Sequence, residues 1–167
     1  MAMAQDIARS FALGGRVAVV TGAGSGLGRE AARIFAGAGA ASVVLADVDE
    51  PGMEETAALV RDAGASALIR RTNMALRDEV EALATMAQES CGRIDIWVNS
   101  AGISIWDKLV DTPSAGAERV IAVNLMGPLW ACAAAGRVMQ QQGGGSIVNL
   151  SSTAGSSPVP GLGVYGM

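Results

Sequence analysis

The 167-residue chain is half apolar and only 4% aromatic, with 22 Gly, a formal charge of −4 and a pI near 4.8. That length suits one domain burying about 70% of its unfolded surface, and an acidic balance with no Lys/Arg cluster speaks against nucleic acid and membrane as partners. The absence of histidine excludes a Ser-His-Asp triad and imidazole metal sites, while Cys91 and Cys132 fit no metal-ligand or CxxC spacing, as suits inert thiols in a reducing cytoplasm.

In chain order, residues 1–14 carry Asp6 and no continuous apolar core, so they read as a leader and not a signal peptide. RVAVVTG (16–22) predicts the first strand. It runs directly into TGAGSGLG, with glycines at 22, 24, 26 and 28, and then into a helix over 26–38. A strand feeding a helix through such a loop lets backbone approach a pyrophosphate and turns the amides of the helix start toward its charge. The spacing is TGxxxGxG, through Thr21, Gly22, Gly26 and Gly28, and not GxGxxG.

SVVLAD (42–47) predicts the second strand and ends on Asp47, 19 residues after Gly28. That offset suits a carboxylate accepting hydrogen bonds from an adenosine ribose. Its charge would repel a 2′-phosphate, and neither Ser25 nor Val48 offers a cation, so the expected cofactor is NAD(H) and not NADP(H). The plainer alternative is a turn or helix-capping aspartate.

A helix over 53–63 leads to ALIRRTN (67–73), a third strand whose adjacent Arg70 and Arg71 point to a sheet edge. A helix over 77–90 precedes IDIWVNSAG (94–102), the fourth strand, and a long helix follows over 114–141. Its uncharged stretch Val120–Gly136 is barely long enough to span a bilayer and contains Asn124, Gly127 and Pro128, so a buried helix is the expectation. Pro128 has no N–H to give the Asn124 carbonyl, which leaves that carbonyl free for a water unless the proline merely kinks the helix. QQQGGG (140–145) reads as a helix end and tight loop, SIVNLSS (146–152) as the fifth strand, and the sole tyrosine, Tyr165, stands near the end. The alternation predicts an α/β fold: a Rossmann-like doubly wound parallel sheet in three αβα layers, one dinucleotide-binding domain over 15–167.

These residues resemble the short-chain dehydrogenase/reductase family from about Gly15 to the last residue. The resemblance rests on TGxxxGxG, on NSAG (99–102) after the fourth strand, on Asn124 in the following helix, and on Ser152 closing the fifth strand 13 residues before Tyr165. The extended branch of the fold fits less well, because TGxxGxxG would need glycine at Ser25. The resemblance implies hydride transfer between nicotinamide and an alcohol or ketone, with Tyr165 as acid/base, Ser152 holding the substrate oxygen and Asn124 supporting a water-mediated proton path. The implied cofactor-binding set is Gly22, Ser25, Gly26, Leu27, Gly28, Asp47, Asn73, Met74, Asn99, Ala101 and Gly102. For Asn99, an amide tying neighbouring strands is an equally available role. A developing alkoxide needs hydrogen-bond donors and a proton source, and a phenol needs roughly 2 to 3 units of pKa lowering to serve near neutral pH.

Three departures from the family pattern stand out. Ser100 replaces the second asparagine of NNAG, and Asn73 stands where an aspartate is common. The lysine of YxxxK would fall four residues after Tyr165, beyond Met167. The expectation is therefore a fragment of a longer enzyme, with little activity alone and exposed apolar surface that favours association, the complete protein being a cytoplasmic homo-oligomer. A non-catalytic dinucleotide-binding module is the competing reading. Fold does not choose the substrate.

Overall fold

The computed structural model describes residues 12–167, so most of the expected leader lies outside the described residues. Five parallel strands form one sheet in the order β3-β2-β1-β4-β5: β1 Val17–Thr21, β2 Ser42–Asp47, β3 Ser66–Arg71, β4 Ile96–Asn99 and β5 Ser146–Asn149. Helices α1 (Gly26–Gly37), α2 (Glu50–Asp62), α3 (Arg77–Cys91) and α4 (Ser114–Gln141) connect them.

All five β1 residues are buried, because both faces of the sheet are covered. Successive side chains alternate between the two cores. Val20, Val43, Leu45 and Val98 pack with Ala32 and Ala36 of α1 and with Met53, Ala57 and Val60 of α2. Val19, Val44 and Trp97 face the other way, onto Val80, Leu83 and Ala87 of α3 and Ala131, Ala135 and Met139 of α4. The three layers are thus two separate apolar seams, and the small alanines let the helices lie close to the sheet.

Several boundaries differ from the sequence expectation. Helix α2 begins at Glu50 and not near 53, because Asp49 caps it by accepting from Gly52 N–H at 3.2 Å and Pro51 suits the first turn, where no N–H is needed. Strand β3 does lie at an edge; Arg71 is exposed there, 3.8 Å from Glu50. Strand β5 stops at Asn149, so Ser152 does not close it. Ser152 instead caps a short 3₁₀ turn, Thr153–Gly155, accepting from Ala154 N–H at 3.2 Å.

Helix α4 is the largest departure. It is helical throughout but contains a π-helical turn, Ala122–Met126, where Gly127 N–H donates to the Ala122 carbonyl. The wider turn carries the ladder past Pro128, whose missing N–H rules out a regular bond to Asn124. Nor is α4 buried all round: Ile121, Leu125 and Leu129 form an exposed stripe, and 28% of its most apolar window is buried. By length and composition it is the one helix among the described residues that could cross a bilayer.

Candidate functional site

The strand order reverses between β1 and β4, and a cleft opens there beyond their carboxyl ends, the place where doubly wound sheets bind ligands. It has a volume of about 900 Å³.

Its floor is the glycine loop. Gly22 has φ +68° and touches the NSAG segment: a Cβ there would sit 2.7 Å from the N and Cα of Ala101. The buried Thr21 hydroxyl ties the same two segments, donating to Val98 O at 3.3 Å and accepting from Ser100 and Ala101 N–H at 3.2 and 3.3 Å. Helix α1 starts after Ser25, whose side chain does not cap it. The first-turn amides of α1 therefore stay available to an anion at the cleft floor.

One wall holds Asp47. Its carboxylate accepts from Gly24 N–H at 2.9 Å, Val48 N–H at 2.7 Å and Asp49 N–H at 3.1 Å. The turn geometry foreseen as an alternative is therefore present, yet Asp47 still lines the cleft and keeps acceptor capacity toward it. Beside it, Asn73 is shaped by its own turn, its Oδ1 accepting from Ala75 N–H at 3.0 Å and its N–H donating to Glu79 at 2.6 Å. Met74 packs on Gly127 of α4, where a Cβ would meet the Met74 carbonyl at 2.8 Å.

The far wall holds Asn124, Ser152 and Tyr165. The Asn124 amide is committed to Ile103, accepting its N–H at 2.9 Å and donating to its carbonyl at 2.8 Å. It thereby fastens the loop that follows NSAG to α4. The Tyr165 segment is held against that loop by a parallel bridge from Asp107 to Leu162, by Asp107 N–H donating to Gly161 O at 2.8 Å, and by Trp106 lying over Gly161.

Gly22, Ser25, Gly26, Leu27, Asp47, Asn73, Met74, Asn99, Ala101, Gly102, Asn124, Ser152 and Tyr165 all line the one cleft. Gly28 is not among the lining residues. It is buried, with no room for a Cβ against the Gly22 carbonyl, so its place in the motif is explained by packing of α1 on the loop. The Asn99 side chain serves the strands: Nδ2 donates to Asn149 Oδ1 at 2.8 Å, and Oδ1 accepts from Trp97 Nε1 at 2.9 Å. Ser100 and Pro128, named in the sequence without being placed in the site, line the cleft too, as do Ile103, Arg119 and Val123, which sequence reasoning passed over. The one-turn spacing of Arg119 and Val123, beside Asn124 on the same helix, was the signal that could have found those two.

The family model for short chain dehydrogenases matches residues 16–167. The chain belongs to that family. "Probable oxidoreductase EphD" of Mycobacterium tuberculosis is 42% identical over 147 residues, 87% of this chain and 25% of that protein. A short chain dehydrogenase/reductase from Burkholderia phymatum, solved in complex with NAD, is 36% identical with a TM-score of 0.88, covering 93% of this chain and 56% of that one. A metagenomic short-chain oxidoreductase solved with NADP is 34% identical with a TM-score of 0.87, covering 92% and 70%. This family member spans between 25% and 61% of the length of such curated relatives.

Proposed function

We propose that this chain carries the cofactor half and two of the acid/base-side groups of an NAD(H)-dependent oxidoreductase acting on an alcohol or carbonyl. One observation carries the reading: Ser152 and Tyr165 share a single cleft with the glycine loop and Asp47. The cradle suits a dinucleotide because Gly22 admits close backbone approach and the first turn of α1 offers uncapped amides. A bound nicotinamide supplies or accepts the hydride. Ser152 Oγ already accepts from Ala154 N–H, which leaves its hydroxyl hydrogen to donate to a substrate oxygen. Tyr165, in the same cleft, gives or takes the proton.

Asp47 supports NAD over NADP, since its carboxylate would face a 2′-phosphate. Arg29, tied to Glu55 at 2.9 Å, is withheld from that position. The exposed Ile121, Leu125 and Leu129 stripe and the half-exposed Val148 and Leu150 at the β5 edge support a homo-oligomer.

Fluorescence titration with NADH and NADPH tests the cofactor reading: NADH is expected to bind more tightly, and tighter NADPH binding refutes it. In a form of the protein that turns over an alcohol with NAD, Tyr165→Phe is expected to abolish turnover while leaving the NADH dissociation constant within about twofold. Undiminished turnover would remove Tyr165 from its role.

A further inference from the structure

Arg29 stands in the first turn of α1, directly after the last loop glycine, and its side chain folds back beneath the loop. The guanidinium donates to the Gly24 carbonyl, to the Gly52 carbonyl at 3.2 Å and through Nε to Thr56 Oγ1 at 3.1 Å, and it pairs with Glu55 at 2.9 Å. Thr56 is fully buried, its hydroxyl 2.7 Å from Ala23 O and 3.0 Å from Gly52 O. The start of α2 comes this close because residue 52 is glycine: a Cβ there would meet the Gly24 carbonyl at 2.6 Å. From the opposite side, Gly24 N–H is held by Asp47 at 2.9 Å.

We propose that Arg29 is a positioning residue: by gripping Gly24 against α2 it fixes the glycine loop in the conformation that receives the pyrophosphate. The inference rests on the nucleotide reading of the cleft. A flexible loop must be ordered at the moment of binding, whereas a loop already fixed spares the ligand that cost. The task suits arginine specifically. Its planar guanidinium reaches Gly24 O and Gly52 O from Nη2 and Thr56 Oγ1 from Nε, two nitrogens at a fixed separation, whereas a lysine ammonium has one nitrogen and cannot serve the two carbonyls and the Thr56 hydroxyl in the same geometry.

The test compares the wild type with Arg29→Lys, Arg29→Met and Thr56→Val by calorimetric titration with ADP-ribose and with adenosine, beside thermal melts. Both Arg29 variants are expected to weaken ADP-ribose about tenfold, with adenosine, which has no pyrophosphate, changed less than about twofold. Thr56→Val is expected to shift ADP-ribose in the same direction by a smaller factor, and it keeps the comparison open if an Arg29 variant does not fold. Wild-type ADP-ribose affinity in Arg29→Lys would overturn the proposal, since charge alone would then suffice. Equal weakening of both ligands in step with the melting temperature would also overturn it, as a merely structural effect. Failure of the wild type to bind ADP-ribose would instead sink the nucleotide reading itself.

Discussion

Gly22→Ala probes the junction on which the cleft depends. At φ +68° an alanine is held in the left-handed region, which costs about 1 to 2 kcal/mol. Its Cβ would also lie 2.7 Å from the N and Cα of Ala101 and 2.9 Å from the carbonyl carbon of Ser100, where ordinary contact begins at 3.4 Å. The two segments must therefore part by roughly 1 Å, which stretches the bonds from Thr21 Oγ1 to Ser100 and Ala101 and adds overpacking strain of about 1 to 3 kcal/mol. The sum is a loss of about 2 to 5 kcal/mol, a large share of the stability of a domain of this size. Urea unfolding measures it, and NADH titration of the same variant is expected to show at least about tenfold weaker binding, because the loop has moved. Gly136→Ala is the control, since that helical glycine meets nothing within 4 Å and its replacement is expected to stabilise by about 0.5 to 1 kcal/mol. A Gly22→Ala protein within about 1 kcal/mol of the wild type and binding NADH within about twofold would refute the reasoning.

Asp95 gives a pH-dependent expectation. Burial pushes its carboxyl up, but Arg93, the Val17 N–H at 2.9 Å and Arg16 outweigh that and hold it below the ordinary carboxylate range. A pKa depressed in the folded state contributes stability above the unfolded value of about 4, and the contribution is lost as pH falls through the folded value. Asp95→Asn should thus cost about 1 to 3 kcal/mol at pH 7, with the gap to wild type closing under acid; a gap that stays constant in urea midpoints down to about pH 2 would contradict it. For Asn124→Ala, two bonds to Ile103 disappear, so the Ile103 amide is expected to exchange its hydrogen at least about tenfold faster, at a stability cost of about 1 to 3 kcal/mol. Unchanged exchange at Ile103 would show that the loop is fastened elsewhere.

The sheet was legible because its strands announce themselves twice. VAVVT and SVVLAD are short β-branched runs that can be buried on both faces, and each is followed by a turn that only glycine or a short polar residue makes easily. The adjacent arginines of β3 had to lie where one sheet flank is open, and they do. The π turn of α4 was beyond reach for a physical reason. Pro128 announces a missing donor, but whether a helix answers by kinking or by widening depends on what it packs against, here the loop at Ile103 and Met74.

The site was legible as a set of positions and less so as a set of roles. Gly28 and Gly22 carry the same letter in the same motif for different reasons: a Cβ at 22 would strike the facing NSAG segment, and one at 28 would strike the loop's own carbonyl. Spacing selects for the absence of a side chain and says nothing of what would have been hit. The same degeneracy applies to amides. Asn99 and Asn124 both line the cleft, yet one spends its side chain on Trp97 and on Asn149, 50 residues away, and the other on Ile103, 21 residues away. Arg29 is the converse case, a residue outside the glycine motif. Its partners, Gly24, Gly52, Glu55 and Thr56, lie on the loop and on α2, and they meet only once β1 and β2 have paired and set α1 beside α2. Sequence motifs therefore locate a nucleotide loop well, while the groups that hold the loop in shape become visible only when the neighbouring helix is in place.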